Sequence, residues 1–252
     1  MLGFKVLSLK NEKNKNFYYN KVIVKELKKE IEKLLKQLND FNLSDELLAS
    51  LEFEIGKDKR NLNAGYHYIL GNQPINKDKL KELYDILSKD LLDKYSIENM
   101  GKYYRKKDVY ILDGSHSLMG LYNKGLDPEK VEEKMDNLFD YINKDNEKDI
   151  VETYIKSQVI HYYLAYVHPY YDVNGRTART LSMWYLIKYN AYPLTMFNRG
   201  IYKNREDYKK SILKSIRGDI TPFLEFSLKT LKEELVETII SQSDGKDSQK
   251  IK

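Results

Sequence analysis

The sequence predicts an all-α protein with one β-hairpin. Apolar residues recur three and four positions apart along most of the 252 residues, which is the spacing of amphipathic helices. A single β-type run, Val109–Leu112, is followed by Asp113-Gly114, a dipeptide suited to a tight hairpin turn. Apolar residues make up 41% of the chain, so it can bury a sizeable core as one domain or as one domain with an appended element.

Composition narrows the class of function. The 43 basic and 38 acidic residues nearly balance, whereas a nucleic-acid binder usually concentrates basic residues in a stripe. Lysine runs such as Lys28-Lys29 have acidic neighbours and indicate solvated faces. The absence of cysteine excludes disulfides, thiol nucleophiles and thiolate metal sites. Neither a secretory signal after Met1 nor an apolar run of about 18 residues is visible, so we expect a cytoplasmic protein without a nucleic-acid or membrane partner.

Three amphipathic helices are predicted before residue 100. They span Val24–Leu38, Ser44–Gly56 and Asp78–Leu92. Ser44 and Asp78 are the expected N-caps, because their side chains can accept hydrogen bonds from the free amides of a first turn. Gly56 is the expected end of the second helix.

The β-type run is predicted to form a projecting flap. Val109, Tyr110, Ile111 and Leu112 would pair with residues 115–121 across the Asp113-Gly114 turn. One hairpin in a helical chain does not make a sheet-based core. Its edge could instead pair with an extended segment of another protein.

Helices resume after the hairpin. They are predicted near Pro128–Tyr141, Lys148–Val167, Gly175–Lys188, Asn204–Ile216 and Thr221–Ile240. The tail from Ser241 is expected to fray. We divide the chain into an N-terminal helical extension, residues 1–75, a main domain, residues 76–240, and a flexible tail, residues 241–252.

The segment His168–Arg179 concentrates chemically active side chains. It lies between two predicted helices and ends at a helix N-terminus, where free amides and the helix dipole favour an anion. Gly175 lets the backbone approach that anion, and Arg176 and Arg179, three positions apart, can reach toward one region. Asp172 is a hard oxygen ligand suited to magnesium. Together these groups suit phosphate chemistry.

This segment, His-Pro-Tyr-Tyr-Asp-Val-Asn-Gly-Arg-Thr-Ala-Arg, resembles the Fic family motif, His-Pro-Phe-x-Asp/Glu-Gly-Asn-Gly-Arg-x-x-Arg. Weaker similarity lies at Gly101–Arg105, Asn204–Tyr208 and Gly218–Phe223, and the whole covers roughly residues 76–232. The resemblance implies a Fic-type helical bundle with a protruding β-hairpin flap. It also implies transfer of AMP from ATP, with magnesium, to a hydroxyl of a target protein or of the enzyme itself, and a possible homodimer.

The resemblance also implies residue roles. His168 would be the general base that takes the proton of a Ser, Thr or Tyr hydroxyl as it attacks the α-phosphate. Asp172 would hold magnesium between the α- and β-phosphates. Tyr208 and Ile212 match positions near the adenine, and Val109–Leu112 match the flap that docks the target.

Four further residues would seat the triphosphate. Asn174 would orient the α-phosphate and the Gly175 amide would complete the cradle, while Arg176 would meet the β-phosphate and Arg179 the γ-phosphate. Val173 departs from the family pattern, because a β-branched residue replaces a glycine and takes a positive φ with difficulty. Tyr170 also departs, because it replaces Phe and its buried hydroxyl would need a partner.

An inhibitory motif is predicted upstream. Many Fic proteins carry Ser/Thr-x-x-x-Glu, whose glutamate pairs with the last arginine of the main motif, and Ser50 and Glu54 fit it on one helix face. Phe53 before the glutamate agrees with the family, whereas Ile55 after it does not. The same spacing occurs at Ser8/Glu12, Thr221/Glu225 and Thr230/Glu234. Thr230/Glu234 is the main rival, since some relatives carry the motif near the C-terminus.

Several other residues are predicted to be structural. They are His67, His116, His161, Trp184 and the Tyr162–Tyr163–Tyr166 cluster. Two alternative functions stay open: transfer of another nucleotide or a phosphate, or removal of AMP, by the same fold, and a nucleotide-sensing or toxin-partner module with little catalysis. The intact His168, Asp172 and arginine set favours an enzyme over that module, because binding alone needs no base.

Overall fold

The computed structural model describes residues 3–39, 41–52, 56–112, 122–144 and 149–249, and this part of the chain is predominantly helical. The N-terminal elements are β1 (Phe4–Lys10), β2 (Asn16–Asn20), α1 (Lys21–Leu35), α2 (Leu43–Leu51) and α3 (Gly56–Ile69). The middle elements are α4 (Lys77–Ser88), α5 (Lys94–Asn99), β3 (Tyr110–Leu112), β4 (Tyr122–Lys124), α6 (Pro128–Asn143) and α7 (Ile150–Val167). The last are α8 (Asn174–Lys188), a 3-10 helix (Tyr192–Met196), α9 (Phe197–Lys203), α10 (Arg205–Ser215) and α11 (Thr221–Gln249).

Helix α7 forms the centre of the bundle, because it is buried on nearly every face. The Asp149 side chain caps it by accepting hydrogen bonds from the amides of Val151, at 2.8 Å, and Glu152, at 3.0 Å. It ends at Val167, as predicted, because the residue before Pro169 disfavours helix. Helix α8 packs along α7, and Trp184 on α8 is buried in this core, as expected.

The structure contains a second hairpin, β1–β2, that the sequence analysis missed. Alternate residues face inward, with Leu7 and Leu9 on β1 and Phe17 and Tyr19 on β2. The Tyr18 backbone joins the C-terminal region, donating to Gly218 at 3.0 Å and accepting from Ile220 at 2.9 Å. The predicted helical bundle with a hairpin flap is confirmed, and β1–β2 is a further hairpin within it.

Several helix ends differ from the prediction because neighbouring asparagines cap them. Asn42, not Ser44, caps α2, and Asn76, not Asp78, caps α4. Gly56 does not close α2, which ends at Leu51, but opens α3 with a φ of 55°. Helices α3, α5 and α9 and the 3-10 helix were not predicted, and α4 ends at Ser88 rather than near Leu92.

The predicted flap is present, but its turn was wrongly placed. Strand β3 pairs antiparallel with β4, with Leu112 opposite Tyr122 and Tyr110 opposite Lys124. A two-residue turn at Asp113-Gly114 would instead place Leu112 opposite residue 115. The connection therefore contains nine residues, 113–121, which lie outside the described part of the chain.

The N-terminal extension shares one core with the rest of the molecule. Helix α1 lies along α11 and α3 packs on α4 and α8, so apolar residues from both regions belong to one continuous cluster. Helix α11 continues to Gln249, beyond the predicted helix end at Ile240, and the flexibility of the tail from Ser241 stays a prediction. No helix in the described ranges is long and apolar enough to cross a membrane.

Candidate active site

His168 lies at the junction between α7 and the loop that leads to α8. It adopts a left-handed conformation, with φ 50° and ψ 60°, and its amide closes α7 by donating to Leu164 at 3.0 Å. Its carbonyl accepts a hydrogen bond from Arg105 Nε at 2.8 Å. The backbone is thus held on both sides of the residue, while the side chain contributes to the wall of a cavity.

The His168 imidazole is neutral near pH 7. Burial is the largest cause that lowers its pKa, the nearby positive charge of Arg105 also lowers it, and the resulting pKa is about 4. A hydrogen bond to the backbone of Ala165 and the negative charge of Asp172 act in the opposite direction. A neutral imidazole can accept a proton, which is the property that a general base requires.

The loop between α7 and α8 is shaped by Asn174. Its amide oxygen accepts from the Tyr170 backbone N–H at 3.0 Å, and its amide nitrogen donates to the Tyr170 carbonyl at 2.9 Å. This buried pair of bonds closes a five-residue turn. The side chain predicted to orient a phosphate is therefore engaged with the loop itself, which leaves its backbone amide for a ligand.

Both departures from the family motif are accommodated in the structure. Val173 adopts φ 65° and ψ 6°, the left-handed region that a glycine would take without strain, and its side chain is buried. Tyr170 is fully buried and stacks on Tyr84, with the ring centroids 3.6 Å apart. Its hydroxyl has no hydrogen-bond partner among the described residues.

The first turn of α8 offers free amides. The first intrahelical bond runs from Thr177 N to the Val173 carbonyl at 2.9 Å, so the amides of Asn174, Gly175 and Arg176 precede it. With the helix dipole they form a site that favours an anion. This turn directly follows the loop that carries His168.

The two motif arginines contact the protein on the side of the N-terminal extension and of α9. Arg176 forms an ion pair with Asp58 on α3. Arg179 Nη2 donates to the Tyr202 hydroxyl at 3.3 Å, and the guanidinium lies over the Tyr202 ring, 5.1 Å from its centroid. Neither arginine lines the cavity described next, and neither does the exposed Asp172.

The cavity beside His168 has a volume of about 660 Å³, within the range of small-molecule sites. It brings together five of the predicted site residues: His168, Asn174, Gly175, Tyr208 and Ile212. The other walls come from the β1–β2 turn, the base of the flap, the end of α7, and α10 with the two residues that follow it. Their residues are Asn11, Glu12, Lys13, Lys15, Lys124, Gly125, Leu126, Ala165, Tyr166, Lys209, Leu213, Ile216 and Arg217.

The β1–β2 turn is a part of the site that the sequence analysis missed. Tyr166 and Tyr163, on the helix that ends at His168, fix it: the Glu12 amide donates to the Tyr166 hydroxyl, and the Tyr163 hydroxyl donates to the Lys10 carbonyl, both at 2.9 Å. The alternating residues Leu7 and Leu9, followed by a polar stretch, were the available signal of a hairpin.

The flap and the inhibitory motif are only partly described. Tyr110 is 62% exposed on β3, while Val109 is buried. Ile111 and Leu112 take part in the strand through their backbones. Ser50 is fully buried on α2, whereas Glu54 lies outside the described residues.

The rival inhibitory residue, Glu234, belongs to a separate buried cluster. It pairs with Lys203 at 2.7 Å and with Arg199 at 3.5 Å. Arg199 also pairs with the buried Glu46 of α2 at 3.3 Å. This cluster connects α2, α9 and α11.

Two of the remaining histidines lie in the described part of the chain. His161 is fully buried, and its Nε2 lies 2.9 Å from the Tyr208 hydroxyl, so it supports the residue predicted near the adenine. Burial lowers the His161 pKa to about 3. His67 is exposed, and His116 lies outside the described residues.

Sequence comparison relates this fold and site to a known family. Residues 74–186, which include the flap and the His168 loop, match the Fic/DOC family. The similarity noted in the segment from His168 to Arg179 thus extends over residues 74–186. Among characterised relatives it is similar to the protein adenylyltransferase Fic of Nematostella vectensis, with 34% identity over 100 residues, and to the protein adenylyltransferase fic-1 of Caenorhabditis elegans, with 29% identity over 102 residues.

These matches cover 39% and 40% of this chain but only 22% and 19% of the relatives, so the chain spans about a fifth of their length. Solved structures share the fold over a larger part. A Fic family protein from Desulfovibrio desulfuricans G20 has a TM-score of 0.62 at 21% identity, covering 87% of this chain and 66% of that one. A fragment of Fic-1 from C. elegans has a TM-score of 0.63 at 16% identity, covering 89% and 74%.

Proposed function

We propose that this protein is a protein adenylyltransferase, which transfers AMP from ATP to a hydroxyl of a target protein. One observation carries the proposal: the neutral imidazole of His168 and the free amides of the first turn of α8 border the same cavity. A base beside an anion site is the arrangement that phosphoryl and nucleotidyl transfer requires. The names of the relatives support this assignment.

The proposed reaction needs one proton transfer. His168 accepts the proton of the target hydroxyl while the hydroxyl oxygen forms a bond to the α-phosphorus. The bond from the α-phosphorus to the oxygen of the leaving pyrophosphate breaks in the same displacement. The α8 amides stabilise the charge on the phosphate oxygens, since they are oriented before the substrate arrives.

Magnesium is the metal ion that this chemistry implies, and Asp172 would hold it. The described part of the chain contains no group of three or more His, Asp or Glu side chains placed to share a metal. A single exposed carboxylate suits magnesium, which is commonly bound by one or two carboxylates together with substrate phosphates. When bound, the ion would offset the negative charge of those phosphates.

The remaining contacts extend the proposal to both substrates. Tyr208 and Ile212 lie on the cavity wall, where they would contact the adenine. The β3–β4 flap, with its exposed Tyr110, would pair with an extended segment of the target and present its hydroxyl. Arg176 and Arg179 would meet the β- and γ-phosphates after leaving their partners Asp58 and Tyr202.

His168→Ala should remove transfer. We expect the rate of label transfer from α-labelled ATP to fall by about 10²–10⁴-fold or more, because that is the usual contribution of a positioned base. His67→Ala, which changes an exposed histidine, is the matched control and should transfer normally. Undiminished transfer by His168→Ala would refute the role of His168.

Mass spectrometry tests the reaction itself, by measuring the mass added to protein after incubation with ATP, GTP, CTP and UTP in turn. AMP transfer adds an adenylyl group. A phosphate adduct or an adduct of another nucleotide would indicate a different reaction, and the absence of any adduct would contradict transfer.

We further propose that the N-terminal extension inhibits transfer through Ser50 and Glu54. The burial of Ser50 on α2 supports this placement, and the engagement of Glu234 with Arg199 and Lys203 disfavours the C-terminal rival. Glu54→Gly should therefore raise the rate of AMP transfer, measured under the same labelling conditions. A gain for Glu234→Gly without one for Glu54→Gly would move the inhibitory role to α11.

A further inference from the structure

Arg105 is a buried cation next to the site. Its side chain is 2% exposed, and all of its hydrogen bonds in the described part of the chain go to main-chain carbonyls. Nε donates to the His168 carbonyl and Nη1 to the Lys107 carbonyl, each at 2.8 Å, and Nη2 donates to the Leu126 carbonyl. Its own amide donates to the Pro169 carbonyl at 3.0 Å.

The three acceptors belong to different functional parts. His168 carries the proposed base, Lys107 precedes the first strand of the flap, and Leu126 follows the second strand. One planar guanidinium thus connects the base to both strands of the flap. Arginine is suited to this because its donors form a rigid fork, whereas lysine presents a single flexible point charge.

The unfavourable free energy of burying the Arg105 guanidinium indicates that this residue does more than fill space in the core. No carboxylate in the described ranges lies within ion-pair distance of it, so its charge is offset only by carbonyl oxygens and more distant groups. Burial of such a cation is unfavourable and lowers its pKa. An apolar side chain would fill the same space without that cost, but it could not hold three carbonyls in place.

We propose that Arg105 is a positioning residue for nucleotide transfer: its guanidinium fixes the His168 main chain relative to both strands of the flap. The distance between the His168 imidazole and a target hydroxyl presented along the flap is then fixed. The inference rests on the proposed function. Arg105 would set the distance between the base and the target hydroxyl, and it is separate from the residues that bind the nucleotide.

Kinetic variants test this role. Arg105→Lys keeps the charge and loses the fork, and Arg105→Gln loses both. Each should lower kcat by about 10²-fold, because a displacement of about 1 Å can cost that much, while KM for ATP changes less than about threefold. Lys156→Gln is the matched control, since Lys156 is a buried cation bonded to the carbonyl of Lys144 away from the site, and it should keep kcat.

The pH dependence of kcat/KM distinguishes the electrostatic effect of the Arg105 charge from its effect on the position of His168. The charged groups that act on His168 are Arg105, which lowers its pKa, and Asp172, which raises it. Arg105→Gln should therefore move the acidic limb of the kcat/KM profile to higher pH, and Arg105→Lys should leave it in place. A change confined to thermal stability, or one confined to KM for ATP, would overturn the proposal.

Hydrogen–deuterium exchange tests the same inference without activity. In Arg105→Gln and Arg105→Lys, exchange should accelerate together in peptides covering residues 105–112, 122–126 and 165–170, but not in the Lys156→Gln control. Unchanged exchange in all three segments would refute the role of Arg105. If the wild-type protein transfers no AMP while the exchange changes as expected, the proposed function fails and the structural link between flap and base stands.

Discussion

Val173 shows how a single residue stores strain beside the proposed anion site. Its left-handed backbone is the conformation that places the following amides at the start of α8, but a side chain on Cβ opposes it. The buried position of the isopropyl group offsets part of that cost through packing. The loop therefore adopts a left-handed conformation at residue 173 although no glycine is present there.

Paired variants at Val173 separate the two contributions. Val173→Ala removes the packing and keeps the Cβ, whereas Val173→Gly removes both, so the glycine variant should be more stable than the alanine variant by about 1 kcal/mol. Urea unfolding measures the difference. If the alanine variant is the more stable of the two, as in ordinary helical or extended backbone, then the left-handed conformation of residue 173 is wrong.

At the scale of secondary-structure elements, the first turn of α3 contacts the first turn of α8. Asp58 on α3 pairs with Arg176, the residue proposed to meet the β-phosphate. Both side chains are partly buried, so the pair holds the arginine toward the extension and away from the cavity. A nucleotide phosphate that binds Arg176 must compete with this carboxylate.

Asp58→Ala should therefore strengthen nucleotide binding. We expect KM for ATP to fall by about 1.4- to fivefold, since partly exposed ion pairs contribute about 0.2–1 kcal/mol. Initial rates at varied ATP concentration measure it. Asp85→Ala, which removes a carboxylate paired with Lys81 within α4, is the control and should not change KM. A rise in KM for Asp58→Ala would instead assign Asp58 a role in nucleotide binding.

At the scale of the whole molecule, the extension is part of the folding unit. Val24, Leu27 and Ile31 of α1 belong to the same buried cluster as Leu228, Leu231 and Leu235 of α11. Burial of each such side chain contributes about 1.5–3 kcal/mol. Exposing these two faces would cost an amount comparable to the total stability of a typical domain, about 5–15 kcal/mol.

Deletion of residues 1–75 should therefore abolish cooperative folding, even though the Fic/DOC match begins at residue 74. Circular dichroism during thermal unfolding would show a broad transition or none. Deletion of residues 245–252 at the other end is the comparison and should retain a single transition. A cooperative transition in the protein lacking residues 1–75 would instead establish residues 76–240 as an independent domain.

Local chemistry made much of the site predictable. The sequence pattern predicted α1, α6, α7, α8, α10 and the greater part of α11, because helical spacing depends only on residues close together in the chain. Pro169 and the polar loop after it marked the end of α7, and the group from His168 to Gly175 indicated a base beside a helix N-terminus. The match to the Fic/DOC family agrees with the resemblance seen in that segment.

Contacts between distant segments were not predictable in this way. The β1–β2 hairpin against α7 and the pairing of Arg176 with Asp58 depend on segments far apart in the chain. The caps Asn42 and Asn76 are local, but each lies two residues from another suitable cap, Ser44 or Asp78, so the sequence alone did not choose between them.

The sequence by itself determined the helical class, the reactive segment and the chemistry of its side chains, because these depend on residues close together in the chain. Only the tertiary structure decided which segments enclose the cavity and which partners hold Arg105 and Arg176. Most of those contacts join residues tens to more than a hundred positions apart, and their free energy arises only when the whole core is assembled.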